Sequence, residues 1–249
     1  MYKRKDFALR YDTRYKGIIG FYFREIEEAF VWEKSKLFVG KTILDLGTGT
    51  GRLLDRLSKI ENGTILSVDV SIEMLEVAYK KVLENTKHNK NIIFLFCSDG
   101  KQLALQDNSI DITIALGTFH RSKKLGDFLQ EVKRVSKKGG YFIFSLWNKK
   151  RWFNIPFFQL DKKEADYCLE DIRRQLRKYD FEILDVQTIF YMPRKLFWML
   201  YKLLLVYPLK VVFMLVAIRL EKLLGRISGL KMRGWELLIL AQEKTTLKK

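Results

Sequence analysis

The chain has 249 residues, 48% of them hydrophobic, and a formal charge of +17. That length fits one domain, or one domain with an embellishment, and the apolar content is enough for a real core. Two cysteines, Cys97 and Cys168, exclude a disulfide framework, and the two histidines, His88 and His120, lie too far apart for metal-ligand spacing.

From the N-terminus, Phe7 to Tyr15 places Tyr11 and Tyr15 four apart, on one face if helical. Ordinary packing of an N-terminal helix is the plain reading of this pair. Gly20 through Phe38 reads as an amphipathic helix. The run Ile43-Leu44-Asp45-Leu46-Gly47-Thr48-Gly49-Thr50-Gly51 reads as a buried strand ending in a glycine-rich turn, with Arg52 to Leu57 opening a helix behind it. Alternate glycines let a backbone turn tightly and approach a ligand closely. A dinucleotide fingerprint needs a small residue where Arg52 stands, and a P-loop needs Gly-Lys-Ser/Thr where the chain has Gly51-Arg52-Leu53.

Thr64 to Asp69 reads as a second strand ending in an acid, one helix and one strand after the glycine turn. A carboxylate there can accept hydrogen bonds from both hydroxyls of a ribose seated over that turn; a turn residue or helix cap is the alternative. Ser71 then caps a helix carrying an early acid, Glu73. Asn91 to Cys97 reads as a third strand running into Ser98-Asp99-Gly100, where Asp99-Gly100 is also a good turn dipeptide. An Asp107-Asn108 turn leads to a fourth strand ending at Leu116-Gly117, and Gly139-Gly140 leads to a fifth ending near Ser145.

The Asp-x-Gly-x-Gly-x-Gly pattern resembles the first motif of class I S-adenosylmethionine-dependent methyltransferases. The later acids and the Asp-Asn turn follow in that family's order, over roughly residues 7 to 146. The closest resemblance is to the ubiquinone/menaquinone-type small-molecule methyltransferases, in which aromatic residues such as those at Tyr11 and Tyr15 help close the cofactor pocket. The resemblance implies a doubly wound, mostly parallel seven-stranded α/β sheet with S-adenosylmethionine bound at the strand ends. It places Asp45 to steer the amino group of the cofactor, Gly47, Thr48, Gly49 and Gly51 along the methionine end, and Asp69 with Val70 at the ribose. Asp99, between Ser98 and Gly100, would accept the adenine amine, and Leu116 completes the cofactor-binding set. One departure is Leu103-Ala104-Leu105-Gln106, where the family often has a Leu-Pro-Phe-like stretch.

The expected arrangement puts Gly47, Asp69, Asp99 and Gly117 together at strand C-terminal ends. His120, just past strand four, is the candidate general base for a nucleophile that must lose a proton; a packing histidine is the alternative. Trp147 to Phe153 reads as a basic-aromatic loop at the same rim, for substrate contact or as a plain linker.

After a helix over Glu170 to Lys178 and a strand over Glu182 to Gln187, the stretch Leu196 to Ile218 is apolar or aromatic except for Lys202, Pro208 and Lys210. It is expected to form a helical insertion, residues 191–234, inside a methyltransferase domain of residues 1–190 and 235–249, whose last strand begins near Trp235. Two lysines cost about 5–7 kcal/mol near a span's centre, against about 0.3–0.6 kcal/mol returned per strongly apolar residue. With a break expected near Pro208, three readings stay open: a pair of helices forming a lid or packed subdomain over the substrate site, an interfacial element with its lysine stripe toward head groups, and a true span.

The expected function is methyl transfer to a small, apolar, lipid- or quinone-like acceptor. RNA methylation and a non-catalytic cofactor-binding or membrane-associated scaffold are the alternatives. The charge calls for an anionic partner, RNA or a membrane surface, unless the lysines, which are spread along the whole chain, only solvate it. No apolar run follows the basic start, so no secretory leader is expected. With Cys97 in an apparent core strand, the expected compartment is the cytoplasm, with peripheral membrane contact as an option.

Overall fold

The structure is a computed structural model that describes residues 5–14, 17–85, 91–122, 124–152, 165–191, 194–204 and 206–244. Eight strands form one sheet: β1 (Thr42–Leu46), β2 (Thr64–Asp69), β3 (Ile92–Cys97), β4 (Ile110–Ala115), β5 (Ser136–Asn148), β6 (Asp166–Tyr167), β7 (Phe181–Ile189) and β8 (Glu236–Glu243). The order is β3-β2-β1-β4-β5-β8-β7, with the two-residue β6 paired to β5 off that path. That short strand is one more than the seven expected. Pairs β1–β2, β2–β3, β1–β4 and β4–β5 are parallel. Strand β8 runs antiparallel to both β5 and β7. The order reverses between β1 and β4, and in open sheets of this kind ligands bind beyond the strand carboxyl ends at such a switch point.

Both sheet faces are covered, which is why the central strands read as continuous apolar runs rather than alternating ones. One core packs Ile43, Ile65, Ile112, Ile114, Leu238 and Leu240 against helices α2 (Gly17–Phe23) and α3 (Ala29–Glu33) and the later α9 (Tyr207–Leu224). The other packs Leu44, Leu46, Phe142, Phe144, Leu237 and Ile239 against α6 (Leu125–Val135) and α7 (Leu169–Lys178). Helix α6 shows how the sequence builds such a layer. Leu125, Leu129, Val132 and Val135 recur at helical spacing and are buried, Asp127 lies in the first turn, and Lys133 and Arg134 lie in the last. Each of those side chains contributes at most about 1.5–3 kcal/mol by leaving water.

Three expectations change, and the readings of the apolar stretch narrow. The helix behind the glycine turn is a single turn, α4 (Leu54–Leu57), so the turn and not a long helix N-terminus shapes the site. The expected helix over Gly20–Phe38 is instead α2, a π-helical turn (Arg24–Glu28), α3 and a 3₁₀ turn (Ser35–Leu37). Cys97 is exposed rather than in the core, because β3 is an edge strand whose Ile92 and Phe94 also face outward. The apolar stretch forms two helices, α8 (Arg194–Leu203) and α9, with Pro208 in the first turn of α9. Proline is tolerated there because that turn's N–H groups have no intrahelical partner. The break falls near Pro208, as expected, and it interrupts the stripe of Lys195, Lys202 and Lys210. Among the described residues no helix is long and apolar enough to cross a membrane, so the true-span reading is dropped for them.

The remaining helices are α1 (Lys5–Arg14), which packs along α5 (Ile72–Asn85), with Asp12 paired to Lys81.

Candidate active site

The turn after β1 is pinned before it does anything else. Gly47 and Thr48 both donate backbone N–H bonds to the Val68 carbonyl of β2, at 2.7 and 2.9 Å. The Thr48 hydroxyl donates to Asp45 Oδ2 at 2.5 Å. Gly47 sits at φ +78°, and a Cβ there would meet Thr118 Oγ1 at 2.4 Å. Glycine is therefore required for the β1 and β4 loops to touch, and Thr118 closes the contact by donating to the Leu46 carbonyl at 2.7 Å. Gly49 differs: at φ +56° a Cβ would find nothing within 4 Å. That open space, bounded by backbone and aimed over the rim, fits the slender methionine end of S-adenosylmethionine. Gly51 lets α5 approach, since a Cβ would stand 2.9 Å from that of Ala78.

Asp69, the last residue of β2, reaches back over the turn. Its Oδ2 accepts the Gly49 N–H at 2.9 Å and its Oδ1 accepts the Ser71 N–H at 2.9 Å. The Val70 amide also bonds this carboxylate, whose remaining acceptor capacity suits a ribose hydroxyl. Burial raises the Asp69 carboxyl above its usual value, and the Ser71 and Gly49 amides oppose that rise. Asp45 is buried, and desolvation pushes it up to about 7, partly opposed by the Thr48 hydroxyl. A buried carboxylate held that high is poised to gain a cationic neighbour, such as the amino group of the cofactor.

The other expected residues fall along the same strand ends. Val70 follows Asp69 and is 55% exposed. Ser98, Asp99 and Gly100 follow β3, with Asp99 exposed and its Oδ1 accepting the Lys101 N–H at 3.0 Å. Leu116 follows β4 and is half-buried. Tyr11 stands half-buried on α1 with its ring 6.3 Å from Phe7. Tyr15 lies outside the described residues, as do Phe153 and His88.

Next to the cradle is a second cluster. His120 stacks on Trp147, with ring centroids 4.0 Å apart and 22° between planes. Its Nε2 lies 3.1 Å from Glu236 Oε1, at an angle outside hydrogen-bond geometry. Glu236 opens β8 directly opposite Trp147 on β5, so an antiparallel strand delivers a carboxylate to the carboxyl rim of the parallel ones. His120 Nε2, Trp147 Nε1 and Glu236 Oε1 are buried without a hydrogen-bond partner. Such groups cost about 1–3 kcal/mol each when unsatisfied, so the cluster is held together at some cost to stability.

Glu27, from the π-helical turn, closes the cluster. It bonds Arg52 Nη2 at 2.6 Å. Its carboxyl is pushed up to about 7 by burial, which Arg52 opposes and Glu236 reinforces. The neighbouring Glu28 is buried with Arg52 and Arg56 at 3.4 and 3.0 Å. Arg52, the residue that spoils a dinucleotide fingerprint, thus anchors the N-terminal helices to the glycine turn. Sequence reasoning missed Glu27 and Glu236. An acid opening the otherwise apolar run Trp235 to Ala241 was the available signal for Glu236. The expected basic-aromatic loop is also different: Trp147, Asn148 and Arg151 are buried, and Lys149, Lys150 and Trp152 are exposed.

This strand order, with a glycine cradle and an acid at the second strand end, defines the fold of the class I S-adenosylmethionine-dependent methyltransferases. Sequence comparison agrees: residues 44–144 match the family described as "Methyltransferase domain". It is 34% identical over 141 residues to a malonyl-[acyl-carrier protein] O-methyltransferase of Marinomonas sp. (strain MWYL1), covering 53% of this chain and 50% of the relative. It is 29% identical over 150 residues to a ubiquinone/menaquinone biosynthesis C-methyltransferase of Wigglesworthia glossinidia brevipalpis, covering 56% of this chain and 57% of the relative. The chain thus spans about half the length of the curated relatives it matches. A crystal structure of a SAM-dependent methyltransferase from Aquifex aeolicus superposes with a TM-score of 0.60 at 19% identity, covering 96% of this chain and 98% of that one. At that identity the likeness speaks for the fold.

Proposed function

We propose that this chain transfers the methyl group of S-adenosylmethionine to a small, apolar acceptor taken up beside an anionic membrane surface. The observation that carries the methyl-transfer reading is the Asp69–Gly49 bond over an open glycine cradle. The names of the quinone- and acyl-directed relatives support an apolar acceptor.

S-adenosylmethionine supplies a methyl already activated on a sulfonium sulfur. The bond from sulfur to that carbon breaks as the bond to the acceptor atom forms, and the thioether leaves with the electron pair. The residues of the chain align the partners. Asp69 would hold the ribose, Asp99 the adenine edge, and Asp45 the amino group. His120 would take a proton from an acceptor that has one to lose, with Glu236 beside Nε2 to stabilise the imidazolium. Trp147 fixes the imidazole plane by stacking. The helical segment 191–234 would stand as an insertion within one methyltransferase domain.

The test is transfer of labelled methyl into an extract of the source organism, partitioned into organic, RNA, protein and small polar fractions. Label in the organic phase that is lost with Asp69→Ala supports the reading. Label in RNA replaces the acceptor class. Cofactor binding with no transfer to any fraction leaves a non-catalytic scaffold.

A further inference from the structure

Helix α9 is apolar on two opposite faces. Met214, Ala217, Ile218 and Glu221 are buried and pack toward α2 and the π-helical turn. The rotation of the helix is fixed by a polar anchor. The Tyr22 hydroxyl donates to Glu221 Oε1 at 3.2 Å, and the Tyr191 N–H donates to Glu221 Oε2 at 2.9 Å. With that face locked inward, helical geometry points Leu209, Val212, Val216, Leu220 and Leu223 the other way. They are 52, 56, 48, 42 and 56% exposed. From Leu209 to Leu223 the stripe runs about 21 Å along the helix. At the α8–α9 break, Leu203 and Tyr207 are 68 and 67% exposed.

Charge decides what can cover the stripe. Between residues 194 and 233 the sequence has nine basic residues and one acid, and that acid is Glu221, turned inward. Lys202, Arg219, Lys222, Arg226 and Lys231 are exposed. A second copy would bring another chain of charge +17 against this face, which repulsion opposes. Nucleic acid phosphates could pair with the flanking cations but would leave the five aliphatic side chains in water. Aliphatic side chains flanked by cations, with no outward acid, match an acyl layer under anionic head groups.

We infer that the outward face of α9 is a docking surface for an anionic phospholipid bilayer, with the helix lying in the plane of the head groups. Because the inner face packs on the element that carries Glu27, the bilayer then lies one helix layer from the His120–Glu236 cluster. An apolar acceptor would reach the site from that side. Only this last step rests on the proposed acceptor; the docking itself does not.

The test is co-sedimentation of the full chain with large unilamellar vesicles of phosphatidylcholine alone, or of phosphatidylcholine with about a third phosphatidylglycerol. Binding at least roughly tenfold stronger to the anionic vesicles, weakened by 0.5 M salt, is expected. Val212→Glu with Val216→Glu should abolish it while melting temperature and S-adenosylmethionine affinity stay unchanged, which separates failed docking from a failed cofactor site. A single Leu220→Cys carrying an environment-sensitive dye should shift to the blue on vesicles. Equal sedimentation of the double variant overturns the proposal. So does absence of binding to either vesicle, a concentration-dependent dimer that the same variant dissolves, or RNA binding that it removes.

Discussion

Asp69 and Gly49 belong to neighbouring strand ends, and the bond between them, 2.9 Å from amide to carboxylate, makes the second strand a brace for the turn after the first. The same carboxylate that would hold the cofactor also shapes the turn that would surround it. Asp69→Ala should therefore weaken S-adenosylmethionine binding by roughly 10²–10⁴-fold, as two charged hydrogen bonds of about 1.5–3 kcal/mol each are lost. Asp69→Asn, which keeps one acceptor oxygen, should fall between this variant and the parent. Titration calorimetry reads both.

Two glycines of the turn should separate stability from binding. Gly47→Ala combines positive φ with a Cβ 2.4 Å from Thr118 Oγ1 and should lose at least about 2 kcal/mol of stability. Gly49→Ala meets open space, so its loss should be about 1–2 kcal/mol from backbone strain alone. Its larger effect should be on cofactor affinity, since the methyl occupies the cradle. Urea unfolding with and without cofactor distinguishes them.

Asp45 and Glu27 both hold protons up to about 7, against ordinary values of 3.8 and 4.5. The folded chain then binds more protons than the unfolded chain between roughly pH 4 and 7, and stability falls as pH rises through that window. The urea midpoint should drop from pH 5.5 to pH 7.5, and Asp45→Asn should flatten part of that slope. If Asp45 receives the cofactor's amino group, the rise in melting temperature given by S-adenosylmethionine should be larger at pH 7.5 than at pH 5.5.

His120→Ala should lower the transfer rate by roughly 10²–10⁴-fold for an acceptor that must lose a proton, with unchanged cofactor affinity and partial rescue by added imidazole. Glu236→Gln should reduce the rate less than His120→Ala. A rate within a few-fold of the parent for His120→Ala would assign the histidine to packing against Trp147.

Strands β1 to β5 were legible because their signals are local: apolar runs, turn glycines, and an acid at the ends of β2 and β3. The rest depends on partners distant in the sequence. Adjacent Glu27 and Glu28 look like a solvent face until Arg52 and Arg56 arrive from another element to neutralise them. Strand β3 reads as core because periodicity cannot tell an edge strand from a central one. The pair of helices α8 and α9 was legible from Pro208, whereas aligning Lys195, Lys202 and Lys210 on one stripe needs an unbroken helix. Glu236 was passed over because one acid in a strand carries no mark of the histidine it will face.

Strand β8 is sandwiched between β5 and β7, and among the described strands it is the only neighbour β7 has. During synthesis β5 therefore keeps a bare hydrogen-bonding edge, and β7 waits without a place, until residues 236–243 leave the ribosome. The half that carries the glycine turn is complete long before. A nascent chain could hold cofactor while lacking the carboxylate beside His120, so competence for chemistry would be acquired only with the final strand.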